Sequence, residues 1–132
     1  MTVAVAHQVS ATARIALTQA VQEAKLRGTD LAVLHVVNSS LDADRAEAYR
    51  LGVSDEIERA VGTDTGVTWE LHLQTASADV GEAIVALTEG LRADLLVIGA
   101  RRRSPVGKAL LGSVAQTIIL QANIPVLVVK VP

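Results

Sequence analysis

The sequence predicts an α/β fold in which helices cover both faces of an open parallel sheet, giving three layers. Short apolar runs at 31–37 and 95–98 lack polar alternation, which is typical of strands buried on both faces of such a sheet. Segments with helical periodicity separate these runs along the 132 residues. Half of the residues are apolar, yet Phe is absent, so Val, Leu, Ile and Ala must form the core. We expect one domain that spans residues 1–132.

The amino-terminal third predicts a β-α-β unit. Thr2 to Ala6 is a short apolar strand, and Ser10 is a suitable N-cap for the helix that follows. Gly28 ends this helix, because glycine adopts the left-handed conformation of a helix C-terminus without steric cost. Leu31 to Val37 forms the second strand, and the connection between the two strands should be right-handed.

The middle of the chain leaves one alternative open. Residues 42–50 and 54–61 both favour helix, and Gly52 between them allows either one kinked helix or two short ones. Residues 67–74 then alternate between apolar and polar side chains. Because a period of two leaves one face in water, this third strand should lie at an edge of the sheet.

The carboxy-terminal third predicts a helix, a strand, a second helix and a final strand. Asp79 to Leu91 carries apolar residues on one face of a helix, and the apolar strand from Leu95 follows it. The next helix starts at Ser113, and the run from Val126 to Val131 is a last strand in which only Lys130 is polar. The chain thus predicts five strands that alternate with helices.

The segment between the fourth strand and the last helix is the candidate functional site. Residues 101–108 contain four bases, Arg101, Arg102, Arg103 and Lys108, and no acid. Ser113 can cap the helix behind them, so that the first N–H groups of that helix face the basic loop. Helix N-termini attract phosphate-like anions. The segment therefore favours a small anionic ligand, with a basic loop that is only solvated as the competing interpretation.

Composition argues against several other partners. The formal net charge of −2 does not favour binding to nucleic acid. Without cysteine, the chain has no disulfide, no thiolate metal site and no cysteine nucleophile. No apolar run reaches membrane-spanning length and the amino terminus lacks a secretory pattern, so we expect a cytoplasmic protein that does not engage a membrane.

Metal binding and catalysis are not predicted from the residues. His7, His35 and His72 fall on different strands or strand ends, which does not favour a shared metal site. We expect His35 to be a hydrogen-bonded core residue and His7 to pack or to contact a ribose. No carboxylate pair and no Ser/His/acid group falls at the predicted strand ends, so no catalytic residue is assigned.

Three separated segments of the chain carry a recognisable pattern. They are, in chain order, Val3-Ala4-Val5 with Ser10 and Ala13, then Leu34-His35-Val36-Val37, then Gly99 with Leu111-Gly112-Ser113-Val114-Ala115 and Ile124-Pro125-Val126-Leu127-Val128-Val129. In order and spacing, the chain resembles the universal stress protein family along essentially its whole length.

The resemblance implies the strand order 3-2-1-4-5 of the adenine-nucleotide alpha hydrolase-like fold. In such a sheet strand 1 neighbours strand 4, and the strand order reverses between them. Ligands of open α/β sheets bind beyond the carboxyl ends of the strands at this reversal. Residues 6–8 and 99–103 would then lie on opposite sides of one crevice.

The nucleotide-binding branch of that family has the pattern Gly, two residues, Gly, nine residues, Gly, then Ser or Thr. Gly99, Gly112 and Ser113 match this pattern, whereas Arg102 stands at the middle glycine and Gln8 stands where the family has an aspartate. Arg102 does not adopt a positive φ as readily as glycine, but its guanidinium could bond to phosphate. Gln8 lacks the carboxylate that would bind Mg²⁺, so magnesium is expected only together with nucleotide. With Arg101 as an added positive charge, the implied site is Ala6, Gln8, Val36, Ile98, Gly99, Arg101, Arg102, Gly112, Ser113 and Val114.

The implied function is that of a homodimeric stress-response module that binds an adenine nucleotide (ATP, ADP or AMP). One alternative is an interaction protein of the same fold that binds no nucleotide, because Arg102 and Gln8 replace ligand-contacting residues of the family. A slow ATP hydrolase is a further alternative, which the missing carboxylates disfavour.

The dimer is expected to form through the last strand. Strand order 3-2-1-4-5 places residues 126–131 at a sheet edge, and an apolar edge is an association site unless it is covered. The resemblance implies that this strand pairs antiparallel with its symmetry mate. The competing interpretation is an edge that side chains shield.

Overall fold

The computed structural model describes residues 1–8, 11–37, 42–62, 66–75, 79–101 and 112–131. In these ranges strands and helices alternate strictly, as the sequence predicted. The elements are β1 Thr2–Ala6, α1 Ala11–Arg27, β2 Asp30–Val37, α2 Ala43–Val61, β3 Trp69–Thr75, α3 Val80–Gly90, β4 Leu95–Arg101, α4 Ser113–Gln121 and β5 Val126–Val131.

All five strands form one parallel sheet with the order β3-β2-β1-β4-β5. This confirms the α/β fold class and the strand order that the resemblance implied. β1 lies between β2 and β4, with Ala6 opposite Leu34 on one side and Val5 opposite Val97 on the other. The strand order therefore reverses between β1 and β4, and the chain crosses to the second half of the sheet through α3, after β3.

Two hydrophobic cores cover the two faces of the sheet, because successive side chains of a strand point to opposite faces. One core joins alternate strand residues such as Val3 and Val5 to helices α1 and α2. The other joins the intervening residues, such as Ala4 and Leu96, to helices α3 and α4. Both faces of the inner strands are thus buried, which explains why their sequences lack polar alternation.

Helix α2 is one continuous helix, which resolves the alternative that Gly52 left open. Val53, Ile57 and Val61 recur at helical spacing and are buried against the sheet. Their packing outweighs the low helix propensity of Gly52, which is about 1 kcal/mol below that of alanine. The Asp42 side chain caps the helix by accepting a hydrogen bond from the backbone N–H of Arg45.

The start of α3 and the end of α1 follow the predicted chemistry. Asp79 caps α3 and accepts a hydrogen bond from the N–H of Glu82 (3.0 Å). Gly28 follows α1 with φ 64°, the left-handed conformation expected of it. The predicted cap at Ser10 lies outside the described residues. Among the helices of these ranges, none has the length and apolar character needed to cross a bilayer.

Candidate functional site

The candidate site lies where the carboxyl ends of β1, β2 and β4 meet the start of α4. Parallel strands all end at the same edge of a sheet, and the reversal of strand order between β1 and β4 opens a gap there. We call this gap the β1/β4 crevice, between residues 6–8 and 98–101. The structure brings Ala6, Val36 and Ile98 to one face of the sheet, since all three belong to or pack on the core beneath α3 and α4.

These residues differ in how much surface they offer. Val36 and Ile98 are 7% and 2% exposed, whereas Ala6 and Gly99 are half-buried. Such a surface is apolar and close to the backbone, which suits a flat aromatic group more than a charged one. Gln8 lies exposed just beyond β1 and adds an amide but no charge.

The start of α4 corrects one expectation. Gly112 and not Ser113 is the N-cap, and Ser113 is the first residue of the helix. Because Gly112 has no side chain, no side-chain hydrogen bond caps the helix, and both residues are exposed. Within the described part of the chain, no side-chain hydrogen bond caps these first-turn N–H groups, and N–H groups at such a helix end are able to bind an anion. Val114 is half-buried and packs on the α3/α4 core, which holds this helix end in place.

A methyl group would fit at Gly112. A Cβ built there meets no atom of the described residues within 4 Å, and φ is −63°, which any residue adopts. The fold therefore does not require glycine at this position, and close approach of a ligand is a reason for it to be there.

The positive charge of the site is only partly described. Arg101 ends β4 opposite Val131 of β5, and its backbone lies at the rim of the crevice. The side chain of Arg101, and the whole of Arg102, Arg103 and Lys108, lie outside the described residues. Their contact with an anion stays a prediction.

A polar chain of three side chains occupies the opposite face of the same strand ends. His7 Nδ1 lies 3.0 Å from His35 Nδ1, and His35 Nε2 lies 2.7 Å from the Tyr49 hydroxyl of α2. We call these residues the histidine latch. His35 is 3% exposed and hydrogen-bonded, which confirms the expected core histidine. His7 is 1% exposed and faces the α1/α2 layer, so it does not share a face with Ala6 and Val36.

Burial keeps both imidazoles neutral near pH 7. Desolvation lowers the pKa of His7, and it lowers the pKa of His35 to about 4, helped by the neighbouring His7 and opposed by Glu56. Desolvation, followed by the negative charge of Glu56, raises the pKa of Tyr49. His7 Nε2 is buried and has no hydrogen-bond partner among the residues that the structure describes, which is unusual for a buried polar atom.

The sequence did not predict the latch, although a signal was present. His7 and His35 come at corresponding positions near the carboxyl ends of two adjacent parallel strands, with Ala6 in register with Leu34. Neighbouring positions on one face of a sheet are in contact, so the strand order alone would have paired them.

Comparison with known proteins agrees with the fold. The family model described as "Universal stress protein family" matches residues 1–130. A universal stress protein of Mycolicibacterium smegmatis is 39% identical over 117 residues, which cover 89% of this chain and 88% of that protein. Among solved structures, the universal stress protein from Archaeoglobus fulgidus in complex with dAMP is 31% identical, with a TM-score of 0.73 and 98% of each chain covered. A universal stress protein in complex with cAMP is 26% identical, with a TM-score of 0.77, and the match covers 98% of this chain and 96% of that one. With nearly its whole length matched by the family model, the chain belongs to the universal stress protein family.

Proposed function

We propose that this protein binds an adenine nucleotide in the β1/β4 crevice, with the phosphates at the start of α4. The observation that carries the proposal is the position of the α4 N-terminus, which has no side-chain cap and follows β4 at the reversal of strand order. The two family members solved with dAMP and with cAMP support it, because both ligands combine an adenine with a phosphate.

Different residues of the site contact different parts of the nucleotide. The adenosine packs on Ala6, Val36 and Ile98, with the backbone of Val36 offering polar groups to the base. The phosphates accept hydrogen bonds from the amides of Gly112 and Ser113. Arg101 and Arg102 then neutralise phosphate charge.

Gln8 favours a second candidate, an interaction protein of the same fold that binds no nucleotide. Gln8 is exposed at the crevice and carries no carboxylate, so it offers no charged group to a hydrated metal ion on a polyphosphate. The two candidates differ in one measurable property, the affinity for nucleotide.

Calorimetric titration with ATP, ADP and AMP, each with and without Mg²⁺, decides between them. We expect saturable binding of at least one nucleotide. Gly112→Ala should weaken it about tenfold, which is about 1.4 kcal/mol, because the methyl group stands where the phosphates approach. Gly90→Ala is the matched control, since a Cβ at Gly90 also meets nothing within 4 Å and Gly90 lies at the carboxyl end of α3. A flat trace at millimolar nucleotide would favour the interaction protein.

We further propose that the protein is a homodimer that pairs through β5. Within the described residues β5 hydrogen-bonds to β4 alone, so its other edge is open. Four successive side chains, from Val126 to Val129, are apolar and half-buried, and only Lys130 is charged. Leu120, which precedes this strand on α4, is 84% exposed. A second copy that pairs antiparallel along β5 would cover the open backbone groups and much of this apolar surface.

A single proline substitution at the open edge of β5 tests the dimer. The N–H of Leu96 donates to the carbonyl of Pro125 (3.0 Å), and alternation along β5 then points the backbone N–H of Val128 to the open edge. Val128→Pro should therefore give monomers in sedimentation without loss of the β4 pairing. Val128→Thr keeps the N–H and should remain a dimer. A dimer that survives Val128→Pro would place the interface elsewhere.

A further inference from the structure

The histidine latch joins the ends of the two strands that form one side of the candidate site. Besides the contact between the two imidazoles, the N–H of His7 donates to the carbonyl of Leu34 (2.8 Å). His7 directly precedes Gln8 in the chain, and His35 directly precedes Val36. The residues of the latch therefore directly precede backbone that the nucleotide would contact, and a separation of the two strand ends would move that backbone.

The geometry limits the number of protons that the latch can hold. Two Nδ1 atoms 3.0 Å apart can share only one hydrogen, so one ring donates and the other accepts. If the Tyr49 hydroxyl donates to His35 Nε2, then His35 donates to His7, and the reverse order satisfies the same contacts. One added proton is compatible with this chain, because the extra hydrogen then lies at an outer nitrogen. A second would place two N–H groups face to face and break the contact.

Charges near the latch are few among the described side chains. From α2, Tyr49 contacts His35, and the carboxylate of Glu56 favours its charged form. From the sheet, β3 presents Leu73 opposite His35, and from α1 the side chains that face this layer, such as Leu17, are apolar. The surroundings therefore oppose an imidazolium through desolvation, and Glu56 offsets only part of that cost.

We propose that the histidine latch is an acid-sensitive switch of the β1/β4 crevice: it holds the ends of β1 and β2 together while the pair of imidazoles carries at most one added proton, and uptake of a second proton from solvent opens them. When the strand ends separate, each imidazole becomes solvated and can take its own proton. The closed latch holds at most one, so acid favours the open arrangement by mass action. The low pKa values of both rings are consistent with this difference. Its effect on ligand binding rests on the proposed function, whereas its effect on stability does not.

The first test measures proton uptake without nucleotide. In urea unfolding, the free energy of unfolding of the wild-type protein should fall between pH 7.5 and pH 5. The slope of this fall should show that the unfolded chain binds at least one more proton than the folded protein. The double variant His7→Asn/His35→Asn keeps amide groups near the Nδ1 positions, and these groups do not titrate. Between the same pH values its free energy of unfolding should therefore fall less than that of wild type. His72→Asn, on β3 and outside the latch, should behave as wild type. An equal pH dependence in wild type and double variant would overturn the switch.

A second measurement does not depend on how well the variants fold. In wild-type protein labelled with ¹⁵N, NMR should detect a coupling between the two Nδ1 nuclei through their shared hydrogen at pH 7. That coupling should disappear as the imidazoles gain protons. Two rings that titrate independently, with no such coupling, would contradict the latch.

The third test separates the switch from the nucleotide site. Its probe is cAMP, whose phosphodiester does not change charge in this pH range. Its dissociation constant should rise at least threefold from pH 7.5 to 5 in wild type and less in the double variant. Binding that is the same at both pH values in wild type would overturn control of the crevice by the latch. If neither cAMP nor any other nucleotide binds at any pH, the proposed function is contradicted instead. The stability measurement would still test the latch, because it needs no nucleotide.

Discussion

The two faces of the sheet differ in chemistry at the same strand ends. On the α3/α4 face, half-buried Ala6 lies beside the buried core residues Val36 and Ile98, at the strand ends that the start of α4 follows. On the α1/α2 face, His7 and His35 form a polar chain that is closed to solvent. The two sets alternate residue by residue along β1 and β2, so one short segment supplies both a ligand surface and the bond that positions it.

This comparison separates what each face contributes to stability and to binding. Changes on the histidine face should act first on stability, because a buried polar group that loses its partner costs about 1–3 kcal/mol. Changes at the helix start should act mainly on binding, since Gly112 and Ser113 are exposed and a Cβ at Gly112 meets no described atom within 4 Å. Alanine is a poorer N-cap than glycine, so Gly112→Ala should also cost up to about 1 kcal/mol of stability.

The largest expected effect is that of His35→Ala. The substitution removes the hydrogen-bond partner of both His7 and Tyr49. It also leaves a buried cavity, because the His35 side chain is only 3% exposed. We expect it to lower the free energy of unfolding by about 2–4 kcal/mol, measured by urea denaturation near pH 7. His72→Ala, at a half-buried position on β3, should cost about 1 kcal/mol or less. A cost below 1 kcal/mol for His35→Ala would mean that the latch does not stabilise the fold.

The next effect in size is the loss of stability in acid. The pKa of His35 is depressed from 6.5 to about 4 in the fold, so the unfolded chain binds more protons between these values. Stability from this group is therefore complete above pH 6.5 and is lost as the pH falls toward 4. Because one pKa unit corresponds to about 1.4 kcal/mol, this contribution is at most about 3 kcal/mol. Thermal unfolding at intervals across that range measures it, and a melting temperature that rises on acidification would contradict the sign.

Much of this fold could be predicted from residues alone, for physical reasons that are visible in the chain. β2 and β4 are inner strands, so burial on both faces left unbroken apolar runs. Those runs did not determine the order of the strands in the sheet, because an apolar run does not show which strand it pairs with. The order came from the family resemblance of separated segments. The sequence left open whether α2 is one helix or two because Gly52 is unfavourable locally, while Val53, Ile57 and Val61 stabilise the single helix through tertiary packing.

The site shows the same division between local and long-range information. The start of α4 at Ser113 was predicted correctly and its N-cap to within one residue, because capping depends on neighbours in sequence. The contact of His7 with His35 joins residues 28 positions apart and depends on which strands are adjacent. Gln8 was identified only by comparison with a family pattern, since nothing in an exposed glutamine at a strand end indicates a lost carboxylate.

The smallest expected effect is that of Ser113→Ala on nucleotide affinity. The substitution leaves the backbone N–H of residue 113 in place and removes only the hydroxyl, so the helix start keeps its main donors to phosphate. One neutral hydrogen bond contributes about 0.5–1.5 kcal/mol, so affinity should fall between about twofold and twelvefold. Stability should change by less than about 0.5 kcal/mol, because Ser113 is exposed and Gly112, not Ser113, is the N-cap. Calorimetry on this variant beside Gly112→Ala sharpens the position of the phosphates: an unchanged affinity in Ser113→Ala with a loss in Gly112→Ala would place them on the backbone amides and away from the hydroxyl.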